Sequence, residues 1–246
     1  MWLPRDGTLF ALSQASHGFP LIAKSVRPDG GRPVFWLPDY LGDDVLQSLR
    51  QTGCDLVFYP VTAEMDPDWT ECERLGRKRK PDAFVLVHYF GQCADARRAR
   101  EFCDRHGARL VEDATHVLRP TGDIGAFGDF ALFSPRKFFD IPHGGILTCH
   151  DARAAERIDD QLRLIGPLEH RWLRTTMKDL ERAFRRRVLR RKPKRRAVRP
   201  RRLETVNPMV PLFDHIRMGG HAKSRIAGEI RSGRINKLAE KRRDFE

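Results

Sequence analysis

Several things that would assign this chain to a class at once are missing from it. No apolar run approaches the roughly 20 residues that a membrane-spanning helix needs. The opening Met1-Trp2-Leu3-Pro4-Arg5-Asp6-Gly7-Thr8 has no charged head followed by an apolar stretch, so it does not read as a secretory signal. Cysteine is sparse: Cys54, Cys72, Cys93, Cys103 and Cys149 are scattered, odd in number, and form no C-x-x-C pair. That argues against a disulfide framework and a zinc site, and it fits a reducing, cytoplasmic setting. No internal repeat is evident. What remains is 246 residues, 40% of them hydrophobic, enough for one large domain or two small ones.

Acidic charge is short, and the formal net charge is +13. Its location removes most of its meaning for the domain. Between Arg174 and Arg202 there are fifteen Lys/Arg against only Asp179 and Glu181, a local +13, so the rest of the chain is close to neutral. The basic character belongs to one segment, where blocks of like charge repel and are usually solvated.

Along the chain, strand-like and helix-like patterns alternate. Residues 1–32 read as a loop, a short helix around Leu9–Ser16 and a Pro/Gly-rich turn. Buried strands are expected at Pro33–Leu37, Leu56–Pro60, Ala83–Tyr89, Arg109–Glu112, Phe130–Phe133 and Gly145–Thr148. Helices are expected at Asp43–Thr52 (with Gly53 as C-cap), Trp69–Arg79, Ala94–His106 and Asp151–Leu164, and a very basic one at Arg171–Arg191 that Pro193 ends. This alternation implies an α/β domain with a mostly parallel, mixed sheet flanked by helices.

Three stretches carry candidate chemistry. Asp113 lies in Val111-Glu112-Asp113-Ala114-Thr115-His116, at the carboxyl end of an expected strand, where open α/β sheets bind ligands. A carboxylate there can pair with a cationic ring nitrogen; the plainer reading is a helix cap. Lys137 ends the run Gly125-Ala126-Phe127-Gly128-Asp129-Phe130-Ala131-Leu132-Phe133-Ser134-Pro135-Arg136-Lys137, with Phe138, Phe139 and Ile141 as apolar neighbours. A lysine in partly apolar surroundings can hold its amine neutral and nucleophilic, and Ser134 with nearby backbone amides can hold a phosphate. Alone, it reads equally as a solvated loop charge. Gly7-Thr8 ahead of the short helix offers N–H groups and a hydroxyl to a phosphate, or is a plain cap.

Together with Trp36-Leu37-Pro38-Asp39-Tyr40, Val87-His88-Tyr89-Phe90-Gly91 and Gly144-Gly145, the order of these stretches resembles the DegT/DnrJ/EryC1/StrS family of pyridoxal-phosphate (PLP) sugar aminotransferases of fold-type I, over residues 5–150. The resemblance implies a PLP-binding large domain in which Lys137 bonds to the cofactor and later acts as general base. Asp113 would pair with the pyridinium nitrogen. His116 would sit near the ring oxygen, Tyr40 would stack on the ring, and Ser134 with Gly7-Thr8 would bind the phosphate. His88 and Tyr89 read as packing or loop-shaping groups. Two features depart from the commoner family pattern: the short spacing from Ser134 to Lys137, and His143 where many members carry Asp before the glycine pair.

The implied partners are an amino-acid donor (glutamate), a nucleotide-linked keto-sugar and a second copy of the chain. Residues 1–150 are expected to form the cofactor-binding core, 151–217 a basic helical segment, partly disordered, and 218–246 a linking helix toward a small C-terminal domain that is absent. The basic run at 171–202 could meet an anionic membrane surface, each basic residue contributing about 1 kcal/mol near it; nucleic acid is disfavoured, because aromatics are not interleaved as stacking platforms. The rival reading is a scaffold member that keeps the fold and docks through that segment.

Overall fold

Strands that are apolar on both faces must be covered on both, and a sheet between two helical layers does this with short connections. The computed structural model adopts that arrangement; it describes residues 7–165, apart from Pro28, Arg119, Thr121, Asp140 and Pro142. The basic run at 171–202 and the linking helix at 218–246 lie outside the described residues. Seven strands, β1 (Thr8–Leu12), β2 (Val34–Pro38), β3 (Asp55–Tyr59), β4 (Ala83–Val87), β5 (Arg109–Asp113), β6 (Phe130–Phe133) and β7 (Gly145–Cys149), pair in the order β1-β7-β6-β5-β4-β2-β3. β7 runs antiparallel to both neighbours; the other pairs are parallel. The helices are α1 (Gly18–Val26), α2 (Asp43–Arg50), α3 (Trp69–Gly76), α4 (Ala96–His106) and α5 (Ala152–Ile165).

The two-residue period of β4 sorts its side chains between the layers. Ala83, Val85 and Val87 join the core with residues of α1, α2 and α5, while Phe84 and Leu86 face residues of α3 and α4. Phe84 is the hub of the second layer: it stacks on Tyr59 (ring centroids 4.7 Å apart, 10° between planes) and on Trp69 (5.9 Å), with Phe102 tilted against it at 5.2 Å. Asp68 caps α3 by accepting from the Thr70 and Glu71 N–H groups, and Asp95 caps α4 through the Arg98 N–H. Gly107 ends α4 at φ 69°, the left-handed conformation that glycine reaches without a Cβ clash.

The structure corrects two expectations. Leu9–Ser16 is not a helix: Thr8–Leu12 is an edge strand paired with β7, followed by a 3₁₀ turn at Ala15–His17 and then α1. A short apolar run fits either period, and pairing across the sheet decides it. α1 tolerates Pro20 because the first-turn N–H groups lack intrahelical partners anyway. The boundary at residue 150 also falls inside the packed unit, since Ala154, Ala155, Ile158 and Leu162 of α5 are buried in the same core as α1.

Candidate functional site

The carboxyl ends of β1, β2, β4, β5 and β6 open onto one cavity of about 310 Å³. β5 delivers Asp113, 4% exposed, whose Oδ1 accepts from the Thr115 N–H at 3.0 Å. Oδ2 has no hydrogen bond among the described residues, and Asp113 lines the cavity. β6 passes the chain to Ser134 and a single 3₁₀ turn, Pro135–Lys137, which places Lys137 Nζ 3.2 Å from Thr115 Oγ1, its hydrogen-bond acceptor. Lys137 stays open to the cavity mouth, yet its surroundings displace enough water to lower its pKa. Asp113 and Asp44 oppose that shift and Arg136 adds to it.

β1 passes the chain to Ser13, Gln14, Ala15 and Ser16, and this turn forms the cavity wall ahead of α1. Gly144 and Gly145 hold it in place. The Gly144 N–H donates to the Ser13 carbonyl oxygen at 2.8 Å, and a Cβ on Gly145 would overlap the backbone of Gln14 and Ala15. Gly145 is therefore a requirement of close approach between β7 and the turn, while a Cβ on Gly144 would meet Ile141 and the Arg136 nitrogen.

Behind Asp113, Glu112 organises the loop that closes the site. It is fully buried and accepts from the N–H groups of Gly125 (2.7 Å), Phe127 (2.9 Å) and Gly128 (2.5 Å). His88 Nε2 lies 2.8 Å from Glu112 Oε2, and His88 Nδ1 accepts from the Ala94 N–H. That pattern assigns the proton to Nε2, so the imidazole donates to the carboxylate. Asp129 in turn accepts from Arg100, Arg109 and the Leu110 N–H. The Gly125-x-x-Gly128-Asp129 signature thus ties the loop to β5.

The structure gathers Asp113, His116, Ser134, Lys137 and Tyr40 around the cavity. His116 Nδ1 accepts from the Phe90 N–H, and the two rings lie 6.0 Å apart at 15°. Phe90 itself is held at φ 54°, a strained conformation for a residue with a Cβ. Tyr40, at the mouth, lies 5.7 Å from the Tyr89 ring, and the Tyr89 hydroxyl donates to the Tyr40 carbonyl oxygen.

Gly7-Thr8 are not brought to the site. Thr8 pairs with Cys149, and Cys149 with Phe130, the first residue of β6, which puts them at the opposite end of the strands from the cavity. The residues that β1 brings to the cavity wall are instead Gln14, Ala15 and Ser16, which the sequence reading missed. Their signal was Ser13-x-x-Ser16 directly before Gly18 and the apolar Phe19-Pro20-Leu21-Ile22-Ala23.

A sequence profile of the DegT/DnrJ/EryC1/StrS aminotransferase family matches residues 45–206, more than half of the chain. The chain belongs to this family. It is 36% identical over 123 residues to dTDP-3-amino-3,4,6-trideoxy-alpha-D-glucose transaminase of Micromonospora megalomicea subsp. nigra, covering 45% of this chain and 32% of that protein. Against GDP-perosamine synthase of Vibrio cholerae the identity is 34% over 82 residues, 30% of this chain and 22% of the other. The matched stretches span about a third or less of these curated relatives. Among solved structures, DesI with its TDP-sugar product superimposes at TM-score 0.55 and 26% identity, covering 63% of this chain and 40% of that one. NtdA from Bacillus subtilis with bound cofactor PMP superimposes at 0.52 and 17% identity, covering 61% and 35%, and speaks to the fold alone.

Aminotransferases of this family depend on PLP. The residues present fit that group. The hydroxyls of Ser16 and Ser134 line the cavity on residues 6% and 2% exposed, and neither has a hydrogen bond among the described residues. Hydroxyls open to the cavity beside the N-terminal end of α1 suit a phosphate. Asp113 Oδ2 suits a protonated ring nitrogen, and Lys137 Nζ suits the aldehyde carbon.

Proposed function

We propose that this chain binds PLP at the Asp113–Lys137 cavity and transfers an amino group from an amino-acid donor, glutamate, to a keto-sugar carried on a nucleotide. The observation that carries this reading is the convergence of Asp113 and Lys137, from the ends of adjacent strands, on a cavity that Ser16 and Ser134 also line. The sugar class rests on the relatives, named as a dTDP-sugar transaminase and GDP-perosamine synthase.

PLP, when bound, withdraws electrons from the bonds at the amine-bearing carbon and so makes a C–H proton removable. The work left to the chain is binding and proton handling. The Ser13–Ser16 turn, Ser134 and the N-terminal end of α1 would hold the phosphate. Asp113 would hold the proton on the ring nitrogen, its buried carboxylate being worth more there than in water. Tyr40 would cover one face of the ring and His116 would border its oxygen substituent. Lys137, with its amine pKa lowered by desolvation, presents a neutral nucleophile at lower pH than a free lysine does. Lys137 Nζ would take and return the proton of the amine-bearing carbon, and Thr115 Oγ1, 3.2 Å away, would hold it in reach.

The test is spectroscopic. Purified protein mixed with PLP should turn yellow, and borohydride should fix the pyridoxyl group on the Lys137 peptide. Lys137→Ala should show neither. Glutamate should bleach the band of the unreduced wild type. A colourless wild type, or reduction that labels exposed lysines at random, overturns the reading.

A further inference from the structure

The charged groups lining the cavity are unevenly matched. Asp44 and Asp113 are anionic; Lys137 and Arg136 are the cationic pair beside them. Desolvation lowers the Lys137 pKa, and a lysine bonded to a carbonyl carbon no longer offers a free ammonium. Arg136 then stands as the permanent cation on the wall, because a guanidinium stays protonated throughout the working pH range. Without it the wall would carry net negative charge and repel the anionic ligands that the proposed reaction requires.

Arg136 is also uncommitted. Arg27, Arg32, Arg74, Arg79, Arg100, Arg105, Arg109 and Arg163 each lie within salt-bridge distance of a carboxylate. Arg136 makes no hydrogen bond or ion pair among the described residues, although it is exposed to a cavity that also holds two aspartates. Its backbone is fixed at the same time: the 3₁₀ turn sets its direction, and a Cβ on Gly144 would lie 3.2 Å from the Arg136 nitrogen and 3.5 Å from its Cβ. A fixed base with an unpaired planar fork suits bidentate recognition of an oxyanion.

We propose that Arg136 is the oxyanion-docking residue of this cavity, forming a paired, charge-assisted contact with either the phosphate of the cofactor or the carboxylate of the amino-acid donor. The inference rests on the PLP reading above and adds a residue that decides ligand charge. It also accounts for the sequence: the short Ser134-Pro135-Arg136-Lys137 spacing puts a guanidinium one residue from the reactive amine.

The experiment compares wild type, Arg136→Met and Arg136→Lys in two binding titrations. The first follows the visible band on adding pyridoxal 5′-phosphate or, separately, pyridoxal, which lacks the phosphate. The second follows the spectral change when the unreactive dicarboxylate glutarate binds the PLP-loaded protein. A charge-assisted pair corresponds to about tenfold or more in affinity. If the phosphate is the partner, Arg136→Met weakens pyridoxal phosphate by that factor and leaves pyridoxal unchanged. If the carboxylate is the partner, the cofactor titrations stay put and glutarate affinity falls instead. Arg136→Lys, which keeps the charge but loses the fork, should lie between and serves as the readout if the methionine variant does not fold. Unchanged affinities for all three probes overturn the inference while leaving the PLP reading standing. A wild type that binds no pyridoxal phosphate at Lys137 removes that reading itself.

Discussion

At the residue scale, the site separates groups that hold a ligand from groups that hold the site. Asp113 belongs to the first kind. Asp113→Asn keeps its shape and the Thr115 contact but presents an amide where, on the proposed reading, a carboxylate would face the ring nitrogen. The visible band should survive, while amino transfer should fall by about 10²–10⁴, the usual scale of a lost proton-handling group; single-turnover bleaching by glutamate reads it. Glu112 belongs to the second kind. Its two oxygens satisfy three loop N–H groups and His88, so Glu112→Gln turns a donor toward donors. Leaving a buried partner unpaired costs about 1–3 kcal/mol, which should show in urea titration with little change in the spectrum of bound PLP. Lys137 supplies a pH test. Its folded pKa lies below the ordinary lysine value, so between the folded and unfolded values the unfolded chain binds more protons. Stability of the cofactor-free protein therefore rises with pH through that window, and below it the charged amine is a standing penalty. Lys137→Met should raise the melting temperature at neutral pH and flatten its rise toward alkaline pH.

At the element scale, the two glycines and the aromatic layer make different predictions. Gly145→Ala places a methyl into the Gln14–Ala15 backbone, so β7 and the cavity turn must separate. Loss of PLP affinity is expected to exceed loss of stability, since the turn lines the site and β1 is a sheet edge; a dye-monitored melt beside a PLP titration separates the two effects. Phe84→Ala empties the centre of the α3–α4 layer, where Tyr59, Trp69 and Phe102 converge on one ring. A buried Phe→Ala change of this kind costs about 3–5 kcal/mol, and chemical denaturation should find it. The layer lies on the other side of β4 from Val87, so any protein that folds should bind PLP as before.

On the scale of the whole molecule, the sheet order puts the ends of β1, β2, β4, β5 and β6 side by side, and so one cavity draws on segments from residue 14 to residue 137. A ligand bound there bridges these segments and stabilises the fold they share. PLP at 100 times its dissociation constant should add about 2.7 kcal/mol of apparent stability, and the melting temperature should rise with PLP concentration in wild type but far less in Lys137→Ala. Among the described residues, no helix is long and apolar enough to cross a membrane. Among the described residues β1 pairs with β7 on one side only, and an open edge of this kind is a ready pairing surface; sedimentation at two concentrations tests the expected second copy of the chain.

Much of this was legible in the order of residues. Strong strands such as Ala-Phe-Val-Leu-Val at 83–87, capped helices ending at Gly107, and the Glu112-Asp113 and Ser134-to-Lys137 motifs are local patterns, set by side-chain period, capping and turn chemistry within a few residues. Lys137 and Asp113 were both candidates on those grounds. The Ser13–Ser16 turn was not, because Thr8–Leu12 fits a helix or a strand equally well until β7 pairs with it. Only that pairing sends Gly7-Thr8 to the far end of the strands and the turn after β1 to the cavity. In the same way, the sequence shows Gly144-Gly145, Glu112 and His88 as residues without partners. Tertiary contact decides that the glycines admit a backbone, that the glutamate gathers a loop, and that the histidine serves it, because each of these roles depends on atoms far away along the chain.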